Sequence, residues 1–479
     1  MNRVVYKILF TACSFFITTF VFIVVARNLG AEKYGQISYV LSIYDFFIQL
    51  MTLMIPTAYV YFLSQDKYTK SDLNSFIAAY VGLVGFLVLS ITFLTFYSEF
   101  GRVYLWSSID SSILIFSSFF IASAINIQAI LLNFSDATLQ TVKSENSKFL
   151  SKLTLFVLVI FFSFYEILTI ESYLLTLGLS LIAFFVFYFK LIKFKISFLT
   201  KELFKEIFRE FLIYIKPLIF FSFIAVFYTF LGKYVLQHSA GSTEQGYFGF
   251  AFQIAMLPVI IISPIIAIIM REITQHFKSN GIVEVKSLFL DRFFRILPLY
   301  TLASVFLILN AEEVISFTAG ADFIEAKLTI QILALYSFLH VFGLFNSAIH
   351  LSTKRNTQYG LIASITLSAG SIYLVYIFFY GDLDSMGLAE VLTIVYFVQS
   401  IWLLLANTKF LKVKNLIFIR EIISVSIVVF LMVSLIKSFN LHLLVNILGC
   451  LLVGLLLNFV FKDYLGLKDI YKSFSFRNM

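Results

Sequence analysis

Arg27-Asn28-Leu29-Gly30-Ala31-Glu32-Lys33-Tyr34-Gly35 closes one long apolar run and opens the next. The pattern returns 211 residues later in His238-Ser239-Ala240-Gly241-Ser242-Thr243-Glu244-Gln245-Gly246. Gly30 falls on Gly241 and Gly35 on Gly246, so both glycines keep their spacing. An aromatic, amphipathic helix start follows each copy, Gln36 to Asp45 in the first and Tyr247 to Met256 in the second. Glycines matched in the same turn of two apolar hairpins mark an internal duplication, and a repeat constrains the architecture before any single element does.

Of the 479 residues, 60% are hydrophobic and only 13% are charged, with a mean hydropathy of +0.96. A soluble domain carries roughly a quarter charged residues, so the class is an all-α integral membrane protein. The first apolar run, Met1 to Ala26, is too long for a secretory signal and lacks a small-residue cleavage site. Cys13 and Cys450 both sit inside apolar runs, which suggests neither a disulfide framework nor a metal site.

Runs long enough to cross about 30 Å of hydrocarbon number about fourteen. They are Val4–Ala26, Ile37–Leu63, Phe76–Tyr97, Ser111–Asn133, Phe149–Tyr165, Ile170–Phe189 and Phe211–Leu236. Tyr247–Met270, Phe293–Asn310, Leu328–Leu351, Tyr359–Tyr380, Met386–Ala406, Ile417–Ile436 and Leu441–Phe461 complete the set. The expected domains are a six-helix lobe over 1–189, a basic linker over 190–210, a second six-helix lobe over 211–406, and an additional helix pair with a tail over 407–479.

With the N-terminus inside, alternate loops and helix ends hold 29 of the 35 Lys and Arg on the inner side and six outside. Acidic residues divide almost evenly, 13 inside and 14 outside. Retained positive charge marks cytoplasmic loops, so both termini are expected in the cytoplasm, and the net charge of +8 reads as membrane orientation and not as nucleic-acid binding. In the linker, Phe204, Ile207, Phe208 and Phe211 recur at three- and four-residue steps among Lys201, Lys205 and Arg209. That spacing predicts an amphipathic helix on the inner membrane face.

Ala26-Arg27-Asn28-Leu29-Gly30 with Tyr34-Gly35 resembles the first-hairpin signature of Wzx-type polysaccharide flippases. These belong to the multidrug/oligosaccharidyl-lipid/polysaccharide (MOP) exporter superfamily. Leu231-Gly232 with Gln245-Gly246-Tyr247-Phe248 resembles the family's seventh-to-eighth helix hairpin, and Gly320-Ala321-Asp322-Phe323 is similar to a motif before its tenth helix. An acidic residue common in the seventh helix of relatives is absent, and Lys233 lies nearby. The resemblance implies two MATE-like six-helix repeats that alternate access to each side. It further implies transfer of undecaprenyl-pyrophosphate-linked O-antigen, capsular or exopolysaccharide repeat units across a bacterial inner membrane. Lipids and the polysaccharide polymerase machinery are the implied partners; the chain is expected to act as a monomer, without cofactor or metal.

Such cargo needs basic groups and a wet path within the membrane. Charged groups in spans usually face a cavity or a partner, and the alternative for a terminal Lys or Arg is snorkelling. Arg27 and Lys233 end equivalent helices of the repeat; Lys216, Arg271 and Arg295 lie nearer the cytoplasmic mouth. Asp45 is the acid deepest in a span, and Ser42, Asp45 and Gln49 share one face of the second helix. Gln253 is the repeat equivalent of Ser42. Asn126 with Asn133, and His340 with Ser337 and Ser347, make similar faces in the fourth and tenth helices; interhelical hydrogen bonding is the plain reading of each. Pro56, Pro258 and Pro264 kink the equivalent second and eighth helices. Three other functions compete. A MATE-type drug or cation antiporter would favour several buried acids. A lipid-linked peptidoglycan-precursor flippase fits the extra helix pair. A membrane enzyme would have to rely on Asp382-Leu383-Asp384, in a short loop.

Overall fold

The structure, a computed structural model, describes residues 3–63, 67–107, 109, 111–413 and 415–438. These form helices α1 (Arg3–Thr52), α2 (Ile55–Leu63), α3 (Lys70–Tyr97), α4 (Glu99–Tyr104), α5 (Ser112–Ala137), α6 (Thr141–Phe164) and α7 (Ile170–Leu191). They continue as α8 (Lys201–Ala255), α9 (Leu257–Asn280), α10 (Ile282–Leu309), α11 (Ala311–Thr318), a 3-10 turn (Ala321–Ala326), α12 (Lys327–Ser352), α13 (Asn356–Tyr380), α14 (Ser385–Leu411) and α15 (Asn415–Ser438). The described chain is all-helical, as its composition requires.

Among the described residues, ten helical stretches are long and apolar enough to cross a membrane. Two of them, Cys13–Thr52 and Ile219–Val259, run 40 and 41 residues, and each is broken at a repeat glycine. Gly30 has φ 74°, ψ 173° and Gly241 has φ 79°, ψ −170°. That region of backbone space is open essentially to glycine alone. At the first break the chain folds back on itself: Phe22 and Tyr34, twelve residues apart, hold their rings 5.6 Å apart, whereas twelve residues of continuous helix would span about 18 Å. Val425–Ser438 is a shorter apolar helix, and the expected final span, Leu441–Phe461, lies outside the described residues.

Pro56 and Pro258 produce the two further breaks. Proline cannot donate the helical hydrogen bond, and α1 stops at Thr52 before restarting as α2, with Leu53 and Met54 at φ 47° and 62°. The carbonyl of Met51, released there, accepts a 2.7 Å bond from the Tyr80 hydroxyl. A milder break at Met256, whose backbone stays near helical at φ −84°, ψ −4°, separates α8 from α9, with Pro258 in the first turn of α9.

The chain forms two compact units, Met1–Gly246 with Leu374–Asp382, and Tyr247–Tyr373 with Leu383 onward. In the first, α6 packs on α1 and α7, and α5 on α1 and α7. The linker helix that begins α8 turns Ile207, Phe211 and Ile215 into this core, each fully buried. Phe211 stacks 4.8 Å from Phe62 and meets Phe76 edge-on at 4.9 Å. Lys67 pairs with Glu210, and the Tyr68 hydroxyl donates to Glu206 at 3.0 Å. The extended strap before it is pinned to α3, where Asn74 donates to the Lys195 carbonyl and Ser75 to that of Ser197. In the second unit α12 is central, packed by α9, α10 and α14. Two sequence motifs find structural roles there. Gly320, at φ 82°, starts the 3-10 turn that buries Phe323 against Phe250, 4.7 Å away. Asp384 caps α14 by accepting the Gly387 amide at 2.7 Å. Many large apolar side chains, such as Phe86, Leu94, Phe120 and Phe161, remain exposed; helices apolar on all sides are built for hydrocarbon.

Candidate functional site

The candidate site lies in the first unit, where the part of α1 after Gly30 runs antiparallel to the part of α8 before Gly241. The backbone of Gly35 meets the Ser242 carbonyl. Eleven residues on from Gly35 and twelve back from Ser242, Phe46 and Phe230 stack at 4.3 Å. This register sets Asp45 level with Lys233. Both line a pocket of about 200 Å³ with Ser42, Phe46, Gln49, Ala225, Val226, Thr229 and Phe230. The opposite charges of Asp45 and Lys233 thus share one pocket.

Helical spacing explains the polar face. Ser42, Asp45 and Gln49 lie at i, i+3 and i+7, one stripe of α1, and Thr229 and Lys233 answer at i and i+4 on α8. The other sides of α1 are apolar, and Tyr39, Val40, Ile43 and Tyr44 are fully buried. The Tyr39 and Tyr44 hydroxyls are taken up by the carbonyls of Leu105 and Ile115. Ser42 returns its hydroxyl to the Tyr39 carbonyl at 2.7 Å. Asp45 and Gln49 are exposed to the pocket and Lys233 is half-buried. An acid, a base, an amide and a hydroxyl thus converge in the middle of an apolar unit.

The other residues singled out in the sequence lie elsewhere. Arg27 is exposed one residue before Asn28, whose amide donates to the Ser163 hydroxyl at 3.1 Å. Lys216 is exposed where the linker helix enters the seventh span. Arg271 and Arg295 lie on α9 and α10, but their side chains are outside the described residues. Asn126 does not join Asp45. It lines a separate, largely apolar pocket of about 440 Å³ with Thr52, Gly82, Gly85, Ser123 and Phe194, and the Asn126 Oδ1 and Ser123 Oγ have no hydrogen-bond partner there. Asn133 is exposed near the end of α5. In the second unit Gln253 is exposed, and His340 packs beside Tyr336 and Tyr396, with ring centroids 5.8 and 5.3 Å away.

Sequence reasoning passed over one basic pair. Lys148 and Lys152 on α6 counted only toward the inner total of positive charge, although their i, i+4 spacing inside a helix was a readable signal. No group of three or more His, Cys, Asp or Glu side chains able to hold a metal occurs among the described residues.

Comparison with known proteins places the fold. The fold is similar to that of the Lipid II flippase MurJ in an inward closed conformation, with a TM-score of 0.70 at 17% identity over 95% of this chain and 98% of that one. It is also similar to an inward-facing multidrug resistance MATE family transporter of the MOP superfamily, with a TM-score of 0.61 at 13% identity, covering 86% and 99%. A MOP superfamily transporter from Pyrococcus furiosus matches with a TM-score of 0.57 at 13% identity, covering 86% and 95%. No curated protein sequence matches. The fold is therefore of the kind these solved structures share. The polysaccharide biosynthesis protein family matches residues 3–270, more than half of the chain, and the protein belongs to that family.

Proposed function

We propose that this protein is a flippase that moves undecaprenyl-pyrophosphate-linked oligosaccharide repeat units from the inner to the outer leaflet of a bacterial inner membrane by alternating access. Both termini face the cytoplasm in this reading. The observation that carries it is the Asp45–Lys233 pair in a polar pocket inside an apolar unit, in a member of a polysaccharide biosynthesis family. The cargo sets three physical demands. Its diphosphate must find charge-assisted hydrogen bonds to replace lost hydration, its sugars need a polar lining, and its isoprenoid tail can stay in hydrocarbon. Lys233 supplies the cation, Asp45 keeps it neutral when the cargo is absent, and Ser42, Gln49 and Thr229 offer hydroxyl and amide groups. An inside-negative potential favours outward movement of an anion by about 2.3 kcal/mol per charge per 100 mV. The site therefore has to lower a barrier without binding tightly. Deletion of the chromosomal copy should leave a lipid-linked oligosaccharide on the cytoplasmic leaflet, with surface polysaccharide restored by the parent chain and not by Lys233→Ala at equal expression. Normal surface polysaccharide in the deletion would refute the reading.

A second reading, a flippase for lipid-linked peptidoglycan precursor, draws on the likeness to the Lipid II flippase MurJ. Growth sustained by this chain in cells depleted of that flippase would favour it.

A further inference from the structure

Helix α6 carries a cation that the Asp45–Lys233 pocket does not use. The exposed rings of Phe161, Phe164 and Tyr165 mark the outer end of this helix. Nineteen residues back from Phe164, about 28 Å at about 1.5 Å per residue, comes Glu145, so Lys148 and Lys152 both lie within the apolar thickness. Lys148 pairs with Glu145 at 3.7 Å. Lys152, one turn deeper, is half-buried, and among the described residues it has neither a hydrogen bond nor an ion pair.

The neighbouring helix supplies a further polar group. α1 runs parallel to α6, in a register set by four contacts. Tyr6 hydrogen-bonds Asn146, Phe10 meets Phe149 at 5.3 Å, Phe20 meets Phe156 at 5.5 Å, and Asn28 donates to Ser163. Interpolated between those contacts, Ser14 falls level with Lys152. Ser14 is buried, and its hydroxyl has no partner. Two like charges one turn apart repel, and a half-buried ammonium without a counterion is costly. Glu145 sits beside Lys148, on the far side from Lys152. The arrangement lacks an anion.

We propose that Lys152, with Lys148 and the Ser14 hydroxyl, forms a second diphosphate-binding station in the first unit, at about the depth of the Asp45–Lys233 pocket. This rests on the flippase reading above. Lysine suits a transient contact, because an ammonium on a flexible stem holds a phosphate as a point charge, without the bidentate fork with which arginine would retain it. A headgroup of the surrounding anionic phospholipid offers similar chemistry, with one charge in place of two or more.

The test is calorimetric titration of the purified full-length protein in neutral detergent with farnesyl diphosphate. Farnesol serves as the apolar control and short-chain phosphatidylglycerol as the competitor. Lys152→Gln should weaken farnesyl diphosphate about tenfold or more, the scale of one lost charge-assisted contact, and leave farnesol unchanged. Lys152→Arg should keep most of the affinity. Lys152→Met, compared with the parent by thermal melting, covers the case in which glutamine destabilises the fold. Unchanged diphosphate affinity in Lys152→Gln and Lys152→Met, with loss in Lys233→Gln, would overturn the station and leave the flippase reading standing. Phosphatidylglycerol competing at the same concentration as farnesyl diphosphate would make this a bulk-lipid site and overturn the station as well. Failure of the parent chain to bind farnesyl diphosphate would count against the flippase reading itself.

Discussion

Gly35 and Gly246 are repeat equivalents, and each is pressed against the hairpin of the other. A Cβ on Gly35 would lie 1.8 Å from the Ser242 carbonyl oxygen, and a Cβ on Gly246 would lie 1.9 Å from that of Ala31. Ala31 and Ser242 are themselves repeat equivalents, so the contact is reciprocal. Both clashes are with backbone, which cannot rotate aside. Gly35→Ala and Gly246→Ala should each cost about 1–3 kcal/mol, the usual scale of overpacking, or force the two hairpins apart. Gly82→Ala and Gly85→Ala are the controls: a Cβ there meets nothing within 4 Å, and helical Gly→Ala is worth roughly 0.5–1 kcal/mol of stability. Thermal melts of the four variants decide it. Equal stability in Gly35→Ala and Gly82→Ala would refute the reading.

Gly30 and Gly241 serve the hairpins differently. A Cβ on Gly241 would meet nothing within 4 Å, and both glycines hold a positive φ with ψ near 180°. Alanine at either should be strained by about 1–3 kcal/mol, with similar losses at the two sites because their geometry matches. Denaturation of Gly30→Ala and Gly241→Ala measures this, and a loss at one site alone would break the equivalence.

The Asp45–Lys233 pair predicts non-additivity. Asp45→Asn strands a cation and Lys233→Gln strands an acid, so each single variant should lose more than its share of the double variant, with a coupling of about 0.5–3 kcal/mol. Stability and transport of the two singles and the double give the cycle. Strict additivity would mean that the charges do not interact.

Where the linker helix docks on α2 and α3, packing should outweigh charge. Phe211 is fully buried among Phe62 and Phe76, so Phe211→Ala should cost about 3–5 kcal/mol. Lys67 and Glu210 are partly exposed, and an exposed pair contributes at most about 1 kcal/mol. The hydrogen bond from Lys67 holds the Glu210 carboxyl below its ordinary value of 4.5. A lowered carboxyl stabilises the fold above its unfolded-state value and loses that contribution as the pH falls through its folded value. A shallow loss of stability below about pH 4.5 should therefore vanish in Glu210→Gln.

Orientation can be read with impermeant thiol reagents in intact cells. A cysteine at Thr200, in the strap, should stay unlabelled until the membrane is opened, and one at Asp384 should label from outside. The reverse pattern would invert the topology.

Much of this fold follows from short-range sequence. Hydrocarbon cannot solvate a free backbone group, so apolar runs of sufficient length become helices, and they break where Gly30, Gly241, Pro56 and Pro258 deny helical geometry or a donor. Those effects act within one turn and are legible residue by residue. The same periodicity placed Ser42, Asp45 and Gln49 on one face. It could not say what that face would meet. Lys233 comes 188 residues after Asp45, and only the antiparallel register fixed by Gly35 on Ser242 and Phe46 on Phe230 sets the two level. Asn126 carried a similar polar face and came to line an apolar pocket instead. The linker helix showed an amphipathic stripe that could have faced lipid, and tertiary packing set it against Phe62 and Phe76. A helix fixes the direction of a side chain relative to its own axis; which neighbour waits there depends on how helices distant in sequence pack together.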